Sequence, residues 1–184
     1  MKQVEQVKYK KVKAWGDRSP FRMRFLRLRS GITLCVGASA GGHLNQLIKL
    51  LELQESWPVA PDLCVTTVSE VACKLQKRYA KTEVVGECNR EVPLQIARVV
   101  LRTLVVALKY RPRVIISTGS LPIAILCLWG KLMGSRIVWI DSIANVRSLS
   151  MSGQMTYRFA DLFIVQWEAL KAKYPKATYV GQLL

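Results

Sequence analysis

Four short stretches hold residues able to do chemistry. The first reads Gly37-Ala38-Ser39-Ala40-Gly41-Gly42-His43. Three glycines and a serine ahead of a helical pattern make a phosphate cradle, because backbone N–H groups and the helix dipole both favour an anion. It is not a Walker loop, which ends in Gly-Lys-Ser/Thr. It is also a poor dinucleotide fingerprint, since the G-x-G-x-x-G spacing is absent and the second strand ends Val65-Thr66-Thr67 without an acid. Gly37 to Gly41 matches the hydrolase elbow G-x-S-x-G, but the elbow needs a distant histidine, and the chain's one histidine is His43. At a helix start the neutral imidazole is favoured over imidazolium, so His43 is a candidate proton acceptor or else an N-terminal hydrogen-bonding residue.

The second stretch, Ser117-Thr118-Gly119-Ser120-Leu121-Pro122, again places hydroxyls and glycine before a helix and could bracket a diphosphate with the first. The third, Asp141-Ser142-Ile143-Ala144-Asn145-Val146-Arg147, sets a carboxylate directly after the apolar run Ile137–Ile140, either as a helix cap or as a catalytic base. The fourth is the run from Pro93 to Tyr110. There Glu91, Gln95, Arg98, Arg102 and Lys109 share one narrow face, and nearly all else is Val, Leu, Ile or Ala. So wide an apolar arc packs a partner, lies at a bilayer surface, or is sandwiched in the fold.

The elements that must position these loops follow from periodicity. Apolar runs at 32–36, 63–67, 83–85, 113–117, 136–140, 162–166 and 178–180 read as strands. Leu44, Leu47, Ile48 and Leu51 recur at helical spacing, and helices are expected near 69–79, 93–110, 121–133 and 150–158, with a short one before the last strand. Strands alternating with helices predict an α/β fold with a Rossmann-like parallel sheet and helices on both faces. Ligands of such sheets bind beyond the carboxyl ends of the strands, where the first three loops lie.

Composition bounds the function. The 184 residues carry a net charge of +16 yet are 51% hydrophobic, which excludes a disordered chain. Residues 1–30 hold ten basic residues against Glu5 and Asp17, so half the net charge sits there. This basic appendage, with Arg22, Arg24, Arg27 and Arg29 interleaved among large apolar groups, is expected to order on a lipid surface or partner. Residues 31–184 form the second, regular domain. No apolar run reaches the ~18 to 20 residues of a spanning helix, and no signal peptide is expected. The five cysteines lack C-x-x-C spacing, so buried reduced thiols are expected rather than a metal site. A basic α/β domain binding nucleic acid is the alternative that the charge suggests, though the aromatic residues lie mainly in apolar segments instead of among basic ones.

An ordered series of motifs carries a family resemblance: Ser39-Ala-Gly-Gly-His43, Pro112-Arg-Val-Ile-Ile-Ser-Thr-Gly119, Val138-Trp-Ile-Asp-Ser-Ile-Ala144, Arg147-Ser-Leu-Ser150, Gly153, Asp161-Leu-Phe-Ile-Val-Gln-Trp167 and Lys173-Tyr-Pro-Lys-Ala-Thr-Tyr-Val-Gly181. From Gly31 to Leu184 the chain resembles the acceptor-side, membrane-anchoring subunit of split GT-B glycosyltransferases, both the eukaryotic dolichol-linked enzyme and bacterial exopolysaccharide counterparts. More distantly it is similar to the N-terminal half of the glycosyltransferase that makes lipid II.

The resemblance implies half of an inverting enzyme that moves a sugar from a nucleotide donor, UDP-linked, to a polyprenyl-diphosphate-linked sugar. A separate donor-binding subunit would bind the nucleotide sugar, and neither cofactor, metal nor nucleic acid is implied. Asp141 and His43 are the candidate bases. Asp141 leads because carboxylates are ordinarily ionised near pH 7. Ser39, Gly41, Gly42, Thr118, Gly119, Ser120, Asn145 and Arg147 are candidates for the acceptor and its diphosphate. Arg22, Arg24, Arg27, Arg29, Arg98, Leu101, Arg102 and Leu108 are expected to face an anionic membrane, with the protein peripheral on the cytoplasmic side. The eukaryotic pattern has glutamate at the position of Asp141, arginine at that of Asn145, and an initial spanning helix. A non-catalytic scaffold that activates its partner is the further alternative.

Overall fold

The computed structural model describes residues 32–52, 57, 59–76, 81–88 and 92–183. Glu91 and the arginines at 22, 24, 27 and 29 lie outside these residues. In chain order the elements are β1 (Leu34–Ala38), α1 (Gly42–Glu52), β2 (Leu63–Thr66), α2 (Ser69–Gln76), β3 (Thr82–Val84), α3 (Pro93–Tyr110), β4 (Val114–Ser117), α4 (Leu121–Leu132), β5 (Arg136–Ile140), α5 (Met151–Tyr157), β6 (Leu162–Val165), α6 (Glu168–Lys173) and β7 (Ala177–Tyr179). The strands form one sheet in the order β3-β2-β1-β4-β5-β6-β7, and every pair is parallel. The first strand begins two residues later than its apolar run suggests, and the run extends through Gly37 and Ala38 into the sheet.

Strand alternation builds two cores, one on each face. Cys35, Leu63, Val65, Ile115, Ile137, Trp139 and Phe163 pack with Val106 and Ala107 of α3 and with Ile123, Leu126 and Cys127 of α4. Leu34, Val36 and Cys64 point the other way and pack with Leu47 and Leu51 of α1 and Leu75 of α2. Helices therefore cover both faces, as the alternating pattern requires. Cys35, Cys64 and Cys127 are buried and free. Burial pushes the Cys64 thiol up to about 12, and raises those of Cys35 and Cys127 as well.

The amino ends of the strands are closed by carboxylates. Asp62 accepts from the N–H groups of Thr33 and Leu34 at 2.7 and 3.0 Å. Asp161 accepts from Ile137 N and Lys131 Nζ and pairs with Arg136. The carboxyl ends are different. The chain leaves β1 toward one side of the sheet and β4 toward the other, so the loops after these neighbouring strands diverge and open a crevice.

Candidate functional site

The glycine loop after β1 and the Thr118-Gly119 loop after β4 meet here, and Thr118 N donates to the Gly37 carbonyl at 3.4 Å. Gly41, with φ +80°, and Gly42 are exposed, and nothing lies within 4 Å of where a side chain would project from either. The approach to the first turn of α1 is thus open. Ser39 is half-buried beside it.

His43, in the first turn of α1, turns its ring back over the end of β4. Its Nδ1 lies 2.8 Å from the Thr118 carbonyl oxygen. A carbonyl can only accept, so Nδ1 carries a proton, and of the two neutral tautomers the contact selects the one with its lone pair on Nε2. Among the described residues nothing hydrogen-bonds Nε2. Thr118 Oγ1 donates in return to the His43 carbonyl at 2.7 Å. Gly119 makes room for the ring: a Cβ there would stand 2.3 Å from imidazole atoms, and its φ of +133° suits glycine alone. Thr118 and Gly119, expected to line a diphosphate site, are both buried; Thr118 exchanges hydrogen bonds with His43, and Gly119 N donates to Ser117 Oγ at 3.1 Å. Ser120, the N-cap residue of α4 at φ +89°, has a buried hydroxyl without a partner among the described residues.

Asp141 is placed otherwise than expected of a leading base. It is 1% exposed. Its Oδ1 accepts from Ser150 Oγ at 2.6 Å and Trp139 Nε1 at 3.3 Å, and its Oδ2 from Ser150 N at 3.0 Å. Ser150 Oγ in turn caps α5 by accepting from Gly153 N at 2.8 Å. A Cβ on Gly153 would meet Asp141 Oδ1 at 2.4 Å, so this glycine permits the approach. The carboxylate accepts three hydrogen bonds, with both oxygens engaged, and latches both ends of the loop between β5 and α5. Trp167 Nε1 holds the same loop through the Ile143 carbonyl at 2.6 Å. The loop carries Asn145, half-buried, and Arg147, exposed.

Two residues without a role in the sequence reading complete the arrangement. Gln166, directly after β6, is 1% exposed, and Gln46 of α1 is 6% exposed. Gln166 Nε2 donates to Gln46 Oε1 and to the Asp141 carbonyl, both at 2.9 Å. The available signal was a glutamine closing an apolar strand, but its partner is 120 residues away.

The helix α3 crosses the whole height of the sheet. It begins after the carboxyl end of β3, and its last residue, Tyr110, accepts from Ile32 N at the amino edge. Its inner side buries Val99, Thr103, Val106 and Ala107. Its outer side leaves Leu94, Leu101, Val105 and Leu108 between 49% and 74% exposed, with Arg98 and Arg102 alongside. An open groove of about 560 Å³ runs between Leu101, Arg102 and Val105 of α3, Val84 of β3 and Ser69. No helix of the described residues is long and apolar enough to cross a membrane.

The family model described as "Oligosaccharide biosynthesis protein Alg14 like" matches residues 81–183, more than half of the chain. The chain belongs to this family. Among relatives, the UDP-N-acetylglucosamine transferase subunit ALG14 of Candida albicans is 27% identical over 82% of this chain and 78% of that protein. The human protein of the same name is 28% identical over 85% of each. The fold agrees with solved structures. Acinetobacter baumannii MurG superposes with a TM-score of 0.64 at 10% identity, over 82% of this chain and 45% of that one. The UDP-GlcNAc 2-epimerase of Methanocaldococcus jannaschii gives 0.63 at 13% identity, over 82% and 46%. The chain thus spans about half the length of these structures, which carry a second domain's worth of chain. The sheet is equivalent to the N-terminal half of the GT-B fold.

Proposed function

We propose that this chain is the acceptor-binding subunit of a two-chain inverting glycosyltransferase. Family membership supports this, together with relatives named as UDP-N-acetylglucosamine transferase subunits and a fold amounting to half of a GT-B enzyme. The donor is a UDP-linked sugar, N-acetylglucosamine in the first instance, delivered by a separate subunit. The acceptor is a hydroxyl of a polyprenyl-diphosphate-linked sugar. The observation that carries the chemical reading is the His43 ring, fixed through Nδ1 on Thr118 next to the exposed Gly41 and Gly42, with no hydrogen bond to Nε2 among the described residues.

In the reaction the acceptor oxygen attacks the anomeric carbon while UDP leaves from the opposite side. The hydroxyl proton passes to His43 Nε2, and the Thr118 carbonyl stabilises the resulting imidazolium through Nδ1–H. His43 therefore replaces Asp141 as the leading base, because the Asp141 carboxylate is buried and its oxygens are engaged. Asp141 acts by holding the loop that offers Asn145 and Arg147 to the acceptor. The N–H groups around Gly41 and Gly42, with the α1 dipole, receive the diphosphate. The outer stripe of α3 rests on the anionic cytoplasmic face of the membrane, with leucines in the acyl boundary and Arg98 and Arg102 at headgroup level.

The test is reconstitution with the donor-binding subunit, UDP-N-acetylglucosamine and an isoprenyl-diphosphate-linked sugar. Product is expected only when both chains are present. His43→Gln is expected to lower kcat by about 10² to 10⁴ while the two chains still associate. Turnover by this chain alone, or a His43→Gln enzyme within a few-fold of wild type, would overturn the reading.

A further inference from the structure

The base is held by more than Thr118. Helix α1 follows β1, yet its first two turns are tied to the ends of two other strands. His43 is tied to the end of β4 through Thr118, and Gln46, three residues on and hence on the same side of the helix, is tied to Gln166 beyond β6. Leu47 and Leu51 seat α1 against the core, and these two ties add fixed polar contacts from its first turns to the ends of β4 and β6.

The Gln166 amide has one possible orientation. The Asp141 carbonyl can only accept, so Nε2 must face it. Leu183 N–H can only donate, and it meets Gln166 Oε1 at 2.9 Å. The second N–H of the amide then falls to Gln46 Oε1. One buried side chain, saturated at both ends, joins the helix of the base, the root of the Asp141 loop and the C-terminal segment. A leucine in place of either glutamine would keep the volume but leave buried polar groups of its neighbours without that partner.

We infer that Gln166, acting through Gln46, is a positioning residue that sets the height and tilt of α1 so that His43 keeps its proton on Nδ1 and directs Nε2 into the crevice. Gln166 touches no substrate in this scheme. The inference rests on His43 being the base only for its effect on rate. Its effect on the ring stands apart from that reading.

These 184 residues hold a single histidine, so the chain with ¹⁵N-labelled histidine reports one imidazole by NMR. The wild-type ring is expected as the Nδ1–H tautomer. Gln166→Leu is expected to shift the population toward Nε2–H, the commoner form of a free side chain. It should also lower kcat of the two-chain enzyme about 10- to 100-fold, with KM for the nucleotide sugar within about two-fold, as a misplaced base does. Gln46→Leu breaks the same bond from the helix side and should reproduce both effects, which keeps the test open if Gln166→Leu does not fold. Asp161→Asn, at the other edge of the sheet, serves as the control for a general loss of stability and should leave the tautomer alone. A wild-type ring protonated on Nε2 overturns the inference. So do folded Gln166→Leu or Gln46→Leu proteins with the wild-type tautomer. A shifted tautomer with undiminished turnover would instead remove His43 from the role of base and leave the positioning intact.

Discussion

The two edges of the sheet use buried polar groups in opposite ways. At the amino edge, Asp62 accepts from two backbone N–H groups and Asp161 from a backbone N–H and two cations, and each reinforces the start of neighbouring strands. At the carboxyl edge, Asp141 also accepts several hydrogen bonds, but what it holds is a loop bearing exposed groups, and His43 is held by Nδ1 while Nε2 has no partner among the described residues. The difference separates residues that stabilise from residues that present. A carboxylate buried among donors is well placed to hold a loop and poorly placed to accept a substrate proton.

The comparison can be broken at several points. The largest contrast is His43→Gln, whose loss is in kcat with little change in Tm. Asp141→Asn comes next. It weakens the latch without removing the base, so kcat should fall about 10-fold, on the order of a lost hydrogen bond to a charged group. An Asp141→Asn enzyme whose kcat falls as far as that of His43→Gln would restore Asp141 as the base.

On α3, replacing Leu101 and Leu108 together by Asp should abolish the salt-resistant part of binding to anionic vesicles. Each leucine would have given up burial worth about 25 cal/mol per Å². Flotation at low and high salt separates this from attraction by basic residues, which salt screens. Unchanged flotation of the variant at high salt would clear α3 of that role.

Asp161→Asn is expected to act on stability alone. It loses hydrogen bonds to a charged group worth about 1.5 to 3 kcal/mol, a Tm drop of roughly 3 to 12 °C at this chain length. Activity of the folded fraction should be unchanged. A fall in kcat matching that of Asp141→Asn would erase the distinction between the edges.

The smallest effect is at Glu83 of β3. Its burial alone would raise the carboxyl, but hydrogen bonds from Lys109 and Tyr110 outweigh that and lower it. A carboxyl lowered by folding stabilises fully above its unfolded value, and that stability is lost as pH falls through the lowered one. Thermal melts should therefore show a slightly steeper acid-side loss for wild type than for Glu83→Gln.

Much of the architecture could be read from periodicity alone. Helix α3 and strand β5 have the expected limits, Pro93–Tyr110 and Arg136–Ile140, because proline starts the one and an unbroken apolar run defines the other. Parallel strand order, with chemistry at the carboxyl ends, follows from strand–helix alternation. Residue types at those ends, His43 and Asp141 among them, were equally plain. Their division of labour was not. A carboxylate after a strand looks the same in sequence whether its oxygens face solvent or Ser150 and Trp139, because those donors come from the next helix and the preceding turn of strand. Thr118 and Gly119 read as half of an anion cradle, and nothing local to them shows that an imidazole from another segment rests on them. Gln166 had no visible purpose, since its three partners lie at positions 46, 141 and 183. Local pattern decides secondary structure because the backbone repeats every 3.6 or 2 residues. Hydrogen-bond assignment among buried polar groups depends on which segments meet, and only the folded sheet brings residues 120 apart within 2.9 Å.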